Sequence, residues 1–541
     1  MGDQTEATTA QGHPAGDTDP AGPTDPAGPT DPVEPTDPVE PAEPRTTWGR
    51  TRADLWAAVG VGVAAVVLVL SHLLIPTPIG TADTGDQRRL LCQIDAGDLR
   101  YGEATSSANR YAVITLSPIP RNRKACGAFR VTERYPSSAL AVLAAAQQLT
   151  YAVGLPGALD MRMVGLVYAL LFGLVIGAFV ILLPGPRLAR IAVAGALAVL
   201  GADATFVPYF ASAFSEPMEY VALLATFAAL LALWRSRTVR VRFVVTVAIV
   251  FAVLVTAKSQ DIPLSLLLAG ALLTVRCPVR RWVGRFGARA VPAVAALLLL
   301  VVGATDLYLQ PRLYNQQLVY TDVFYTILKD SHDVPADLAE LGLPQELGRY
   351  AGRTWFETRT ETAVDPNYRV FLDRITMKDV AIFYAHHPDR LGPVTSVAVQ
   401  DVVKARHPLP NTTRDDGAPP RLVCRVCIIP PIGKALAPAG VWLWPLWEAV
   451  VLAVGLLLAL RRRADLAWRA LGLVLVATVA FAVFHTATAI LGDGYAELGK
   501  HVFPAVVDTW MAIPLTAFGL AGLVAHERRH RRRRRRPRTP A

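Results

Sequence analysis

The chain has 541 residues, 52% hydrophobic and 18% charged, with a formal net charge of +10 and a mean hydropathy of +0.34. Soluble domains carry about 25% charged residues; here the shortfall gathers into long apolar blocks between Asp54 and Ala525, several near the ~20 residues that cross a bilayer as helix. That excludes a soluble enzyme, a lone anchored domain and a disordered scaffold, and continuous Leu, Val and Ala runs speak against a transmembrane β-barrel; the predicted fold class is an all-α polytopic membrane protein.

Residues 1–53 read as a disordered, acidic, proline-rich cytoplasmic tail: residues 1–44 hold no Lys or Arg, and residues 18–41 repeat Thr-Asp-Pro-Ala-Gly-Pro and then Thr-Asp-Pro-Val-Glu-Pro. Proline at this density removes helix donors, and too few apolar groups remain to offset chain entropy. The opposite terminus, 526–541, is a basic tail with Arg531 to Arg536 in one run. Because it directly follows an apolar span, it marks the cytoplasmic side and binds anionic lipid rather than nucleic acid.

Ten spans follow from apolar runs and basic flanks: about 54–75, 162–183, one ending near Phe206, 217–234, 243–257, 262–275, 290–308, 441–460, 466–491 and 502–525. Segment 54–309 is thus a transmembrane bundle with a first extracytoplasmic loop at 76–161. Residues 310–440 form an extracytoplasmic domain, and 441–525 return as C-terminal spans. The strongly basic short loops then share one side, which puts the protein in the cell membrane as a multi-pass chain with both termini cytoplasmic. Pro136 to Leu155 reads as an interfacial helix, its Gln147-Gln148 pair arguing against a crossing.

The fifth and sixth spans form a hairpin too short to cross fully. Fifteen helical residues rise ~22 Å against a ~30 Å apolar slab, so the tip Lys258-Ser259-Gln260-Asp261 lies below the surface. It must line a wet cavity or contact protein.

Five cysteines are present. An oxidising exterior favours bonds at Cys92–Cys126 and at the Cys424-x-x-Cys427 pair, and no second Cys-x-x-Cys or close His pair follows to complete a zinc set. The His386-His387 pair reads as structural, and Asn411-Thr412-Thr413 as a glycosylation sequon of little weight.

Polar clusters mark four turns on the extracytoplasmic side: Asp83 and Asp86; Asp203, Tyr209 and Glu216; Lys258, Gln260 and Asp261; and Asp493, Lys500 and His501. Singly, each has a plain reading as a turn, a helix start or a snorkelling lysine. Together they make one polar site at the membrane boundary. A carboxylate there can take a proton from an acceptor hydroxyl, while Lys258, Lys500 and His501 neutralise a phosphate leaving group. No Walker-type Gly-rich loop is present.

In order along the chain, Gly80-Thr-Ala-Asp83-Thr-Gly-Asp86, Arg134-Tyr-Pro-Ser-Ser138, Pro208-Tyr-Phe-Ala-Ser-Ala-Phe-Ser-Glu216-Pro217, Ala257-Lys-Ser-Gln260, Leu341-Gly-Leu-Pro344 and Gly492-Asp-Gly-Tyr-Ala-Glu-Leu-Gly-Lys-His501 resemble the GT-C glycosyltransferases, and more closely the WsfD-type glycan-biosynthesis hexosyltransferases. The resemblance covers roughly residues 50–525. It departs at Thr84 and Ala211, where the family pattern has Asn. It implies a GT-C-like bundle that moves a hexose from a polyprenyl-phosphate donor to a cell-envelope glycan or glycolipid acceptor, with the donor's tail staying in membrane lipid. The base would be Asp83, with Asp86 next; Asp203, Glu216 and Asp493 would orient hydroxyls. No cofactor or metal is assigned, although the carboxylates are compatible with a divalent ion. The competing classes are a lipid-linked glycan flippase or transporter and a non-catalytic envelope assembly protein.

Overall fold

The computed structural model describes residues 51–83, 86–96, 112–113, 118–121, 126, 135–236, 238–277, 287–405, 411–412, 423–461 and 465–535. The expectations for the proline-rich tail and for Thr84, Arg134 and Thr413 lie outside the described residues.

Ten apolar helices build the bundle among the described residues: α1 (Arg52–Leu74), α2 (Met161–Leu182), α3 (Arg187–Gly201), α4 (Glu216–Trp234), α5 (Val241–Val255), α6 (Leu264–Leu273), α7 (Gly287–Leu309), α8 (Gly440–Ala459), α9 (Leu466–Asp493) and α10 (Phe503–Arg535). Seven of them (α1, α2, α4, α7, α8, α9 and α10) are long and apolar enough to cross a membrane. The fold is a helical, polytopic membrane bundle. Strands are few and short: β1 (Gly80–Asp83) pairs antiparallel with Ala112–Val113 and with Asn411–Thr412.

Burial separates centre from rim. In α4, 89% of the spanning window is buried; in α7 only 28% is. The exposed residues Val294, Leu297, Leu298 and Val301 of α7 are thus a lipid-facing surface. Lipid supplies no hydrophobic drive for helix association, so close packing must. Small residues provide it. A Cβ on Gly62 would stand 2.7 Å from the Gly173 carbonyl oxygen, and one on Gly173 would stand 2.6 Å from that of Gly62. Gly455 of α8 and Gly472 of α9 make a second crossing of this kind.

Three bundle helices are short. α5 and α6 hold 15 and 10 residues, as the hairpin reading requires. The third span differs from expectation: α3 stops at Gly201 after 15 residues instead of reaching Phe206. Asp203 explains the stop, because its carboxylate accepts from the Thr205 N–H and hydroxyl, both at 2.9 Å, and so fixes a turn. The chain then runs as buried, mostly non-α backbone through Val207–Ala211 to Ser215. Irregular backbone at such depth is tolerated only against protein or a cavity.

The bundle has two chemically distinct ends. At one, Arg190 and Arg187 hold Asp54 at 2.6 and 3.0 Å, Arg235 donates to the Leu182 carbonyl at 2.6 Å, and Arg461 pairs with Glu527 at 3.6 Å. At the other lie the acid-bearing turns. α10 continues as helix through Arg535, so the start of the basic tail is helical.

Between α7 and α8, short helices from Arg312–Tyr320 to Leu391–Lys404 enclose a second core of Tyr320, Phe324, Leu347, Tyr350, Phe371 and Phe383. Ala139–Ala152 is a helix packed on α2, with Leu149, Tyr151 and Val153 exposed.

Replacing Gly173 by Leu forces α1 and α2 apart. Detergent-purified Gly173→Leu should lose most of its monodisperse yield, whereas Gly195→Leu, at a glycine with open space around its Cβ direction, should purify like wild type by size-exclusion chromatography.

Candidate functional site

Four stretches far apart in sequence meet at the acid-bearing end. The first loop is tied down by Thr81, whose hydroxyl donates to the Pro208 carbonyl at 2.5 Å, and by Gln87, whose side-chain oxygen accepts from the Ala213 N–H at 2.6 Å. This fixes Asp86, which opens the Gln87–Leu91 helix. Lys500 donates to the Asp86 carboxylate, also contacts Glu497 at 3.5 Å and lies 4.9 Å over the Phe214 ring. Arg89 stands 3.9 Å from the other Asp86 oxygen.

The hairpin tip supplies the second set. Lys258 pairs with Glu216, the first residue of α4, at 3.1 Å, and both side chains are buried. One turn on, Glu219 accepts from Gln260 at 2.5 Å. The tip is held from the side by the Tyr135-Pro-Ser-Ser138 stretch. The Ser259 N–H donates to the Tyr135 hydroxyl at 3.1 Å, and Ser137 donates to the Ala257 carbonyl at 2.7 Å. Asp493 pairs with His501 at 2.9 Å on the connection between α9 and α10. The sets are electrically continuous: Lys258 and Lys500 both act on Glu216, and His501 acts on Asp86.

Beside them a cleft is lined by Arg89, Tyr135, Pro311, Leu313, Tyr314 and Gln317. Its Arg89 guanidinium lies 5.1 Å from the centre of the Tyr314 ring. One guanidinium, aromatic walls and apolar residues at one opening suit a ligand with an anionic head and an apolar tail.

The residue chain belongs to the YfdI N-terminal transmembrane domain family, which it matches over residues 49–535. No curated protein and no solved structure matches it. In this YfdI-family chain the site is therefore built on the family domain itself, since every residue named above falls within the matched span.

Asp86, Glu216, Lys258, Gln260, Asp493, Lys500 and His501 are brought together. Asp83 closes β1 opposite Ala112, three residues before Asp86; its side chain is outside what the structure describes. Two expected substrate residues have other partners. Asp203 spends its second carboxylate oxygen on the N–H groups of Ile428 and Ile429, at 2.6 and 3.1 Å, and so anchors the segment of the Cys424–Cys427 pair. Tyr209 is fully buried, edge-on to Phe214 and Phe503. Cys92 and Cys126 are bonded, with Cα atoms 5.3 Å apart. His386 and His387 both face Glu340, at 3.4 and 2.7 Å. Among the described residues, no group of three His, Cys, Asp or Glu side chains stands ready for a metal ion.

Sequence reasoning named Asp261 but missed the deeper residues that it meets. His485 of α9 lies between Asp508 of α10, at 2.7 Å, and Asp261 of the hairpin, at 3.2 Å, with all three fully buried. Glu219 borders Asp261. The available signal was an ionisable residue inside each apolar run, which in a membrane helix marks an internal partner.

Burial pushes the Asp86 carboxyl up, but the charges of Lys500 and Arg89 outweigh it and hold the group well below the usual carboxylate range. Lys500, drawn the other way by Asp86 and Glu497 against its burial, stays far above the usual lysine value. A carboxylate so depressed is a weak proton acceptor, which favours Asp86 as a positioning group. A depressed acid stabilises above its unfolded value and loses that contribution as pH falls through the folded one. The melting-temperature difference between wild type and Asp86→Asn should therefore be flat from about pH 5 to 9 and shrink below about pH 4.

Proposed function

We propose that this protein is a GT-C-type membrane glycosyltransferase. In this reading it moves a hexose from a polyprenyl-phosphate donor to a cell-envelope glycan or glycolipid acceptor on the extracytoplasmic face. The observation that carries the reading is the convergence of Asp86, Arg89, Glu216, Lys258 and Lys500 beside an aromatic, partly apolar cleft at the bundle end away from the basic loops. Basic loops mark the cytoplasmic side, so the site faces outward and both termini lie inside.

The chemistry follows from the charges. The polyprenyl tail stays in lipid while its phosphate meets Arg89, Lys500 and Lys258. An acceptor hydroxyl oxygen attacks the anomeric carbon as the bond from that carbon to the phosphate oxygen breaks, inverting the centre. The electron pair leaves on polyprenyl phosphate, whose charge the cations stabilise. The hydroxyl proton goes to a carboxylate, assigned to Asp83 because Asp86 is committed to Lys500. External location explains a lipid-linked rather than a nucleotide-linked donor.

Full-length protein in proteoliposomes, given labelled polyprenyl-phosphate hexoses and glycolipid acceptors, should form a product of one added hexose. Asp83→Asn should insert and melt like wild type yet lose at least ~100-fold of the rate, the usual scale of general-base removal. Normal transfer by that variant would remove Asp83 as base, and absence of transfer from every donor by wild type would refute the reading.

A further inference from the structure

Asp322 lies on a π-helical stretch, Thr321–Ile327, in the segment between α7 and α8. It is fully buried, and neither carboxylate oxygen has a hydrogen-bond partner among the described residues. Tyr384, from Met377–His386, is 3% exposed, and its hydroxyl also lacks a partner among them. Asp322 acts electrostatically on Tyr384, and itself feels Asp493, the carboxylate paired with His501.

The setting is a built one. Thr326, on the same π-stretch, accepts from the Tyr495 N–H at 3.2 Å, and the Tyr495 hydroxyl donates to Asp330 at 2.5 Å. Lys329 lies over the Tyr325 and Tyr495 rings at 4.7 and 4.4 Å. The π-stretch is thereby stitched to the Gly492–Tyr495 turn, where Gly494 adopts φ +52°. π-Helical turns cluster at functional positions because the inserted residue re-aims its neighbours.

A buried carboxyl without a partner is costly, and a native fold that keeps one calls for a group to complete it. We propose that Asp322 and Tyr384 form a hydroxyl-binding pocket that takes adjacent hydroxyls of a sugar ring, and so select the sugar handled at the neighbouring Asp493–His501 pair. Burial, and then the Asp493 charge, raise Asp322 well above the usual carboxylate range. The carboxyl offers two oxygens to hydroxyl donors, and the Tyr384 hydroxyl both donates and accepts, which matches the hydroxyls of a sugar. A site that hydrogen-bonds a hydroxyl rejects analogues lacking it strongly, because its own polar groups are then stranded.

This inference rests on the glycosyl-transfer reading for its substrate, so the test has two readouts. In the transfer assay, Asp322→Asn and Tyr384→Phe should each raise KM for the sugar substrate about tenfold or more while changing kcat less than about threefold. With a deoxy-hexose lacking the contacted hydroxyl, wild type should lose activity and Asp322→Asn should lose no more, the signature of a shared interaction. Thermal shift of full-length protein with methyl hexosides reads binding without transfer: wild type should be stabilised and Asp322→Asn should not. Unchanged KM across hexoses together with an equal thermal shift in both proteins would overturn the pocket while leaving the transferase standing. If wild type transfers nothing, the methyl-hexoside shift alone decides the pocket. Tyr384→Phe, which removes only an oxygen, covers the case of an Asp322 variant that fails to fold.

Discussion

A charge in the apolar slab must find a partner inside the protein, and the α5–α6 hairpin turns that constraint into architecture. Its helices are too short to lift Lys258, Gln260 and Asp261 into water, so each is met from another element. Glu216 takes Lys258, Glu219 takes Gln260, and His485 takes Asp261 with Asp508 behind it. Three helices are thereby fixed around one tip. Uncompensated, any one of these groups would cost several kcal/mol.

The same pairs shape the opening beside them. With Glu216 held by Lys258, the Val207–Ser215 backbone settles against the first loop, where Thr81 and Gln87 bind it. That places Asp86 within reach of Lys500. Tyr495 reaches across to Asp330 and couples the α9–α10 connection to the helical domain between α7 and α8. Site and domain therefore share one turn.

Much of this was legible in the chain. Apolar blocks near 20 residues gave the seven long helices with starts within a few residues, because a lipid-facing helix needs little more than length and composition, whereas the third span ends at Gly201 and not near Phe206. The short hairpin was legible from the arithmetic of helical rise. The turns bearing Asp86, Glu216, Lys258, Asp493 and Lys500 stood out as charge beside apolar runs. What sequence could not supply was pairing. Asp203 resembled a site residue, yet its carboxylate caps a turn and grips Ile428 and Ile429, some 225 positions away. Asp322 looked like an ordinary residue of a polar segment, since neither its burial nor the π-helical turn has a local signature. His485 and Asp508 sat inside apolar runs, where only the crossing of α9 and α10 makes them neighbours.

The account depends on Lys258 and Glu216 being a buried pair that organises the tip, and charge exchange tests it most directly. Glu216→Lys and Lys258→Glu should each destabilise the purified protein severely, by about 3–5 kcal/mol or to loss of folded yield, because each leaves two like charges buried together. Joined in one chain, they should recover much of the melting temperature. If the double variant is as damaged as the two losses added, the residues are not partners and the convergence at this end of the bundle is not as described.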